Sequence, residues 1–138
     1  MKIVIIDGQG GRIGSLFIEK LKTLNLNAEI IAIGTNSIAT TSMLRAGADA
    51  GATGENPVIV NCRDADCIIG PVGIIAADSL LGEVTPAMAA AIASAPCQKI
   101  LLPVNKCCLH VVGLKDLAVP ALISEAIEYL QTLLIQTK

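Results

Sequence analysis

The chain opens with a short aliphatic run that leads through a cluster of glycines into an amphipathic segment. Residues 3–6 read Ile-Val-Ile-Ile, and a continuous β-branched run of this kind predicts a buried strand. Apolar residues then recur with helical spacing at Ile13, Phe17, Leu21 and Leu24. A strand, a glycine turn and a helix in immediate succession predict that residues 3–24 begin an α/β domain.

The rest of the chain continues this alternation. Further strands are predicted over residues 29–33, 58–60, 67–69 and 99–104, with a short edge strand over residues 109–112. Helices are predicted over residues 38–46, 74–81, 87–94 and 119–136, with an irregular loop over residues 48–57. Asn36 or Ser37 is expected to cap the first of these helices, and Thr85 with Pro86 to begin the third. The pattern predicts a three-layer, doubly wound α/β fold with a mainly parallel sheet, as one domain over residues 1–138.

The composition limits the cellular compartment and the binding partners that we expect. Hydrophobic residues make up 53% of the chain, yet it holds one Phe and one Tyr, so we expect an aliphatic core. A net charge of -2 and so few aromatics argue against nucleic acid as a partner. The apolar stretch 67–77 is interrupted by Gly70, Pro71 and Gly73, and the first apolar run is too short for a signal peptide. Five cysteines without framework spacing suit reduced thiols, so we expect a cytoplasmic protein without a membrane segment.

The glycine cluster predicts a phosphate site, because a helix N-terminus presents free N–H groups and glycines let a phosphate approach the backbone. The G-x-G-x-x-G pattern is not met, since its third glycine would fall at Ile13. The spacing present, Gly8-x-x-Gly11-x-x-Gly14, resembles the loop of dihydrodipicolinate reductases and other NAD(P)-linked reductases. That resemblance implies a Rossmann-like site in which these glycines line a cofactor and Arg12 lies near its phosphates. Alternatively, the glycines serve only a tight turn and close helix packing.

Ligands of doubly wound sheets bind beyond the carboxyl ends of the strands, which collects the other candidates. Glu55 and Asn56 are expected on the rim of this crevice, and Asn61 and Cys62 after the strand predicted at 58–60. The predicted cofactor-binding residues are Asp7, Gly8, Gln9, Gly10, Gly11, Arg12, Ile13, Gly14, Thr35, Asn36, Gly70, Pro71, Val72, Gly73 and Asn105.

The expected cofactor is a nucleotide or dinucleotide. The end of the second strand lacks the carboxylate that would bind an adenosine ribose. Hydroxyl and amide groups at Thr35, Asn36 and Ser37 could instead meet a 2′-phosphate with help from Arg45 or Arg12, which favours NADP over NAD. Alternatively, Asn36 and Ser37 only cap the following helix.

Several residues admit more than one interpretation. A carboxylate at Asp7 would repel a phosphate unless Mg²⁺ intervened or the side chain turned back onto the loop amides. Lys106 could hold an anionic substrate or protonate a product, and Cys107 or Cys62 could act as a nucleophile, with His110 as the available base.

Four residues near and before the C-terminal helix carry atoms that bind soft metals. Cys107, Cys108 and His110, with Cys97, carry zinc-type donors. Strand alternation would send neighbouring cysteines to opposite faces, so no metal site is predicted.

Over its whole length the sequence resembles a family of short bacterial proteins of unknown function. That resemblance implies no particular activity, and whether the chain is an enzyme stays open. Beside nucleotide binding, the alternatives are a ligand-sensing or assembly subunit and a small NADP-linked reductase. A homo-oligomer is expected, through the alanine-rich helix 87–94 and the C-terminal helix. The resembling blocks are residues 5–11, 34–36, 47–49, 51–56, 70–74, 81–88 and 103–107.

Overall fold

A computed structural model describes residues 1–104 and 108–136. The strands are β1 (Lys2–Asp7), β2 (Glu29–Gly34), β3 (Ala50–Thr53), β4 (Cys67–Pro71) and β5 (Gln98–Leu102). The helices are α1 (Arg12–Lys22), α2 (Ser37–Arg45), α3 (Glu55–Cys62), α4 (Pro86–Ser94) and α5 (Val119–Gln136), with a 3₁₀ helix over Val72–Ile75.

The five strands form one parallel sheet in the order β3-β2-β1-β4-β5. This is the order of the first five strands of the dinucleotide-binding fold, with its topological switch point between β1 and β4. In β1 and β2, Ile5 pairs with Ala32 and Asp7 with Gly34, so both strands end at the same level. The predicted doubly wound α/β fold is therefore confirmed, and its sheet is parallel throughout.

Helices cover both faces of the sheet. Side chains that alternate along the central strands divide the core, so that Ile3 and Ile5 of β1 face one layer while Val4 and Ile6 face the other. The first layer holds α1, α2 and α5, and the second holds α3, the 3₁₀ helix and α4. The core is aliphatic, as expected from the composition.

The two helices predicted to carry subunit contacts lie on opposite faces of the sheet. Met88, Ala89 and Ile92 of α4 are buried in the layer with α3, whereas Ile127 and Leu130 of α5 are buried against the other face. The alanine-rich helix is thus not enclosed between the sheet and the C-terminal helix. The predicted homo-oligomer stays a prediction, and any contact through these helices would involve two separate surfaces.

The prediction for residues 48–60 was wrong. The expected loop holds the short edge strand β3, and the expected strand over residues 58–60 lies inside α3. Val58 and Cys62 are both buried and stand four residues apart, which is the spacing of one helix face. Packing against the sheet therefore overrides the β-branched preference of Val58-Ile59-Val60.

Two further predicted elements are absent from the part of the chain that the structure describes. Residues 74–81 form no α-helix, because the 3₁₀ helix is followed by turns in which Asp78, Leu80 and Leu81 have left-handed φ angles of 62°, 55° and 57°. Residues 109–112 form no strand and are exposed. Cys108 lies in a turn, and Cys107 lies outside the described residues.

The other boundaries agree with expectation to within two residues. Asn36 caps α2, accepting a hydrogen bond from the Ala39 amide at 2.9 Å, and Thr85 caps α4 through the Met88 amide at 3.1 Å. Within the described ranges, no helix is both long enough and apolar enough to cross a membrane.

Candidate functional site

The carboxyl ends of β1, β2 and β4 bring the main predicted residues together in one crevice. The glycine loop, residues 8–14, follows β1 and contacts the segment after β2. The amide of Thr35 donates to the carbonyl of Asp7 at 3.0 Å, and the Asn36 side-chain amide donates to the carbonyl of Gln9 at 2.9 Å. Gly70 and Pro71 end the neighbouring strand β4. The predicted grouping of the glycine loop with Thr35 and Asn36 is therefore present in the fold.

Asp7 turns inward beneath the glycine loop. Its two carboxylate oxygens accept hydrogen bonds from the amides of Gly8 and Gly14, both at 2.8 Å, and its exposure is only 4%. Burial raises the pKa of Asp7 above its ordinary value, although the bonds from the amides of Gly14, Gly8 and Ile13 oppose the rise. The interpretation that this side chain caps the loop is confirmed.

The three regularly spaced glycines are explained by packing within the protein. A Cβ at Gly8 would lie 2.7 Å from the Leu80 side chain, and one at Gly14 would collide with Met43 of α2. Gly11 has a left-handed φ of 70° and lies against the backbone of Ala39. The alternative interpretation, a tight turn with close helix packing, accounts for all three positions.

Gly10 differs from the other loop glycines because a Cβ added there would meet nothing within 4 Å. The backbone N–H groups of Gly10 and Arg12 donate to no acceptor among the described residues, and the Arg12 side chain is exposed. Two free amides and a guanidinium at the start of α1 can bind an anion. The outward side of the glycine loop is thus the part that the protein's own packing does not use.

Glu83 is the residue at this crevice that sequence reasoning missed. Its Oε1 atom accepts hydrogen bonds from the Gln9 amide at 2.9 Å, the Thr35 hydroxyl at 2.8 Å and the Asn36 side-chain amide at 2.5 Å. Its Oε2 atom accepts no hydrogen bond from residues 1–104 or 108–136. The acid that is absent from the end of β2 is therefore supplied there by a residue far along the chain, and no local pattern around Glu83 signals this position.

The cap segment, residues 76–85, holds Glu83 over the glycine loop. The Asp78 amide donates to the Val84 carbonyl at 2.8 Å, and the buried Ser79 hydroxyl donates to the Gly73 carbonyl at 2.5 Å. Leu80 and Val84 are 5% and 1% exposed and belong to the core. These contacts at both ends of the turn fix its left-handed residues and, with them, the position of Glu83.

The hydrogen bonds to Glu83 make a prediction about pH. Burial alone would raise the pKa of Glu83, but the donors at Gln9, Asn36 and Thr35 outweigh it and hold the pKa below the ordinary value of 4.5. A lowered pKa in the folded state means that this stabilisation is present above about pH 4.5 and is lost as the pH falls through the folded-state pKa. Wild type should therefore exceed Glu83→Gln in free energy of unfolding at pH 6, with the difference shrinking below pH 4.5 in denaturant titrations.

The control for this prediction is Glu19→Gln, which removes an exposed carboxylate that accepts no hydrogen bond from the described residues. A difference between wild type and Glu83→Gln that grows as the pH falls would contradict the hydrogen bonding described for Glu83.

The candidates at the end of β4 and just after it make structural contacts at the edge of the crevice. A Cβ at Gly70 would collide with the carbonyl of Ile6, so this glycine allows β1 and β4 to approach. Pro71 and Gly73 are buried, and Val72 begins the 3₁₀ helix. They define the floor beside the glycine loop.

The rim candidates lie at the start of α3. Glu55 is exposed and its Oε2 accepts a hydrogen bond from the Thr85 hydroxyl at 2.5 Å, which connects α3 to the end of the cap segment. Asn56 is exposed beside it.

Other candidates are not brought to the crevice. Asn61 and Cys62 lie in the last turn of α3 rather than after a strand, and Asn61 donates to the Pro57 carbonyl of its own helix at 2.9 Å. Arg45 is the last residue of α2, about 12 Å along the helix axis from Ser37. Asn105, Lys106 and Cys107 lie outside the described residues.

The cysteines that the structure describes are poor nucleophiles in their surroundings or lie away from the crevice. Burial raises the pKa of Cys62 to about 11 and that of Cys67 to about 12. Burial also raises the pKa of Cys97. The raised pKa disfavours a nucleophilic role for Cys62, because thiol reactivity increases as the pKa is lowered.

Among the described residues, no group of three or more His, Cys, Asp or Glu side chains is placed to hold a metal ion. Cys108 and His110 are both exposed in the segment before α5.

Together, the sheet order and the crevice define an α/β protein of doubly wound topology with a glycine loop at its switch point. The chain belongs to the family described as Domain of unknown function (DUF3842), whose match covers residues 2–135. A comparison with curated proteins finds no match. A dodecameric FMN-dependent UbiX-like decarboxylase from Escherichia coli O157:H7 is similar to 94% of this chain and 76% of its own, at 19% identity and a TM-score of 0.47.

Proposed function

We propose that this protein binds a phosphate-bearing nucleotide at the outward side of the glycine loop. The observation that supports this proposal is the pair of amides at Gly10 and Arg12, two exposed residues whose N–H groups donate to no acceptor within the described part of the chain. Asp7 takes up other amides of the loop from below, so a ligand phosphate would approach from the solvent side. Nucleotides of doubly wound folds bind at this switch point.

The surroundings of the loop also suit a nucleoside. Ile38 and Leu81 are 68% and 99% exposed, and each stands two residues from a member of the hydrogen-bonded set formed by Asn36 and Glu83. Exposed apolar side chains so close in sequence to the fixed polar groups could offer a surface on which a base would lie. Binding alone is proposed, because the described residues offer no activated nucleophile at the crevice.

Isothermal titration calorimetry with NAD, NADP, ATP, GTP, CTP and FMN tests this proposal. We expect at least one to bind with a Kd below a millimolar, and Gly10→Asp to weaken that binding at least tenfold by placing a carboxylate against the phosphate. Gly10→Asn, of the same size without the charge, should weaken it much less. Both variants should retain the wild-type free energy of unfolding to within about 0.5 kcal/mol, since position 10 is open.

Two results would remove the proposal. One is the absence of any binding tighter than millimolar across these six compounds. The other is binding that Gly10→Asp leaves unchanged, which would place the ligand elsewhere on the protein.

A further inference from the structure

We propose that Glu83 is the acceptor for the ribose hydroxyls of the ligand and selects a free 2′-hydroxyl against a 2′-phosphate. This inference rests on the proposed nucleotide binding and specifies the ligand at the same crevice. It assigns a specificity role to a residue of the cap segment that lies 47 and 48 positions from Asn36 and Thr35.

The two carboxylate oxygens of Glu83 differ in their hydrogen bonding. Three donors, at Gln9, Thr35 and Asn36, converge on Oε1. Those bonds hold the carboxylate in one orientation and leave Oε2 without a donor from the described residues. A fixed carboxylate with one open oxygen is suited to accept hydrogen bonds from a ligand hydroxyl.

Glu83 lies where a dinucleotide-binding fold has its ribose-binding acid. Glu83 lies beside Thr35, the first residue after β2, and beside Gln9 in the glycine loop. In dinucleotide-binding folds the ribose-binding acid comes from the end of the second strand, which places it next to the loop that holds the phosphates. Glu83 puts a carboxylate at the same place from the opposite side of the switch point.

The cap segment that carries Glu83 is held firmly in place, which favours a role for Glu83 as an acceptor over one in which a ligand phosphate displaces it. The cap segment is held by the backbone hydrogen bond from the Asp78 amide to the Val84 carbonyl, by the Ser79 hydroxyl and by the buried Leu80. Because the backbone at Glu83 is fixed in this way, its carboxylate could leave its three donors only by rotation of the side chain, which would break all three hydrogen bonds to Oε1. A carboxylate held this way stays in the crevice, where it would repel a 2′-phosphate by like charge.

Paired ligands test the inference on the full chain by calorimetry. The probes are ATP with dATP, GTP with dGTP, CTP with dCTP, UTP with dUTP, and NAD with NADP. For the nucleotide that binds, wild type should prefer the free 2′-hydroxyl over the 2′-deoxy or 2′-phosphate form at least tenfold. Glu83→Gln, which retains an acceptor oxygen for the same donors, should reduce this preference below about threefold while binding the deoxy form nearly as wild type does.

The outcomes separate the two proposals. Equal wild-type binding of the ribo and deoxy forms would overturn the role of Glu83 and leave nucleotide binding in place. Tighter binding of both forms by Glu83→Gln would also overturn it, because Glu83 would then be a competitor of the phosphate. Failure of wild type to bind any of the paired probes would overturn this inference, and failure to bind FMN as well would overturn the proposed function. Glu19→Gln, on the outer side of α1, should keep the wild-type preference, and thermal unfolding verifies that both variants are folded.

Discussion

Asp7→Ala is expected to lower the free energy of unfolding by about 2–6 kcal/mol, because it leaves two buried amides without an acceptor. The amides of Gly8 and Gly14 both donate to this carboxylate at 2.8 Å, and the side chain is almost fully buried. Water cannot replace the lost acceptor without entering the space beneath the glycine loop. Equilibrium denaturation in urea measures the effect.

Two comparisons make this prediction specific. Asp7→Asn keeps one acceptor oxygen but points an amide at the other donor, so it should cost about 1–3 kcal/mol. Asp66→Ala removes an exposed carboxylate that accepts from the Lys2 amide at 2.7 Å at the opposite end of β1. Because water can replace that bond, the cost there should stay near about 0.5–1 kcal/mol. Equal losses for Asp7→Ala and Asp66→Ala would contradict the capping role of Asp7.

Gly11→Ala is expected to lower the free energy of unfolding by about 2–5 kcal/mol. The left-handed φ of 70° costs an alanine about 1–2 kcal/mol, and the new Cβ would lie 2.7 Å from the backbone of Ala39, so that overpacking adds about 1–3 kcal/mol. The helix that contains Ala39 is held by its cap and its buried face and cannot move away cheaply.

The matched control is Gly10→Ala, one residue earlier in the same loop. It adds the same methyl group where nothing lies within 4 Å, so its effect should remain within about 0.5 kcal/mol. Comparable destabilisation by both variants in denaturant titrations would show that the loop responds to any side chain, and that the contact between Gly11 and α2 is not the cause.

The sequence predicted those parts of the fold that local rules determine. The aliphatic run of β1 and the periodic apolar face of α1 follow from spacing alone, and the capping by Asn36 and Thr85 follows from side chains that accept from a helix N-terminus. For Asp7, the sequence left open either Mg²⁺ binding or a side chain turned back onto the loop amides. The second could be foreseen because those amides are close to Asp7 in sequence. These features need only neighbouring residues.

The missed features depend on contacts between distant parts of the chain. Residues 58–60 carry a strand composition, yet the position of α3 over the sheet makes them helical. Glu83 follows residues 74–81, which the sequence predicts as an α-helix but which form a 3₁₀ helix and turns. The position of Glu83 depends on turns that contain left-handed residues, and a left-handed leucine cannot be predicted from sequence. The preference for NADP rested on the absence of an acid beside Thr35, and Glu83 is an acid at that place.

The cap segment also connects the half of the molecule that contains β1 and β2 with the half that begins at β4. Gln9, Thr35 and Asn36 come from the half that contains β1 and β2, whereas Glu83 follows β4, so the crevice is complete only when both halves have folded together. A small molecule that contacts both halves would bind only the folded chain, so its binding would raise the free energy of unfolding of the whole molecule.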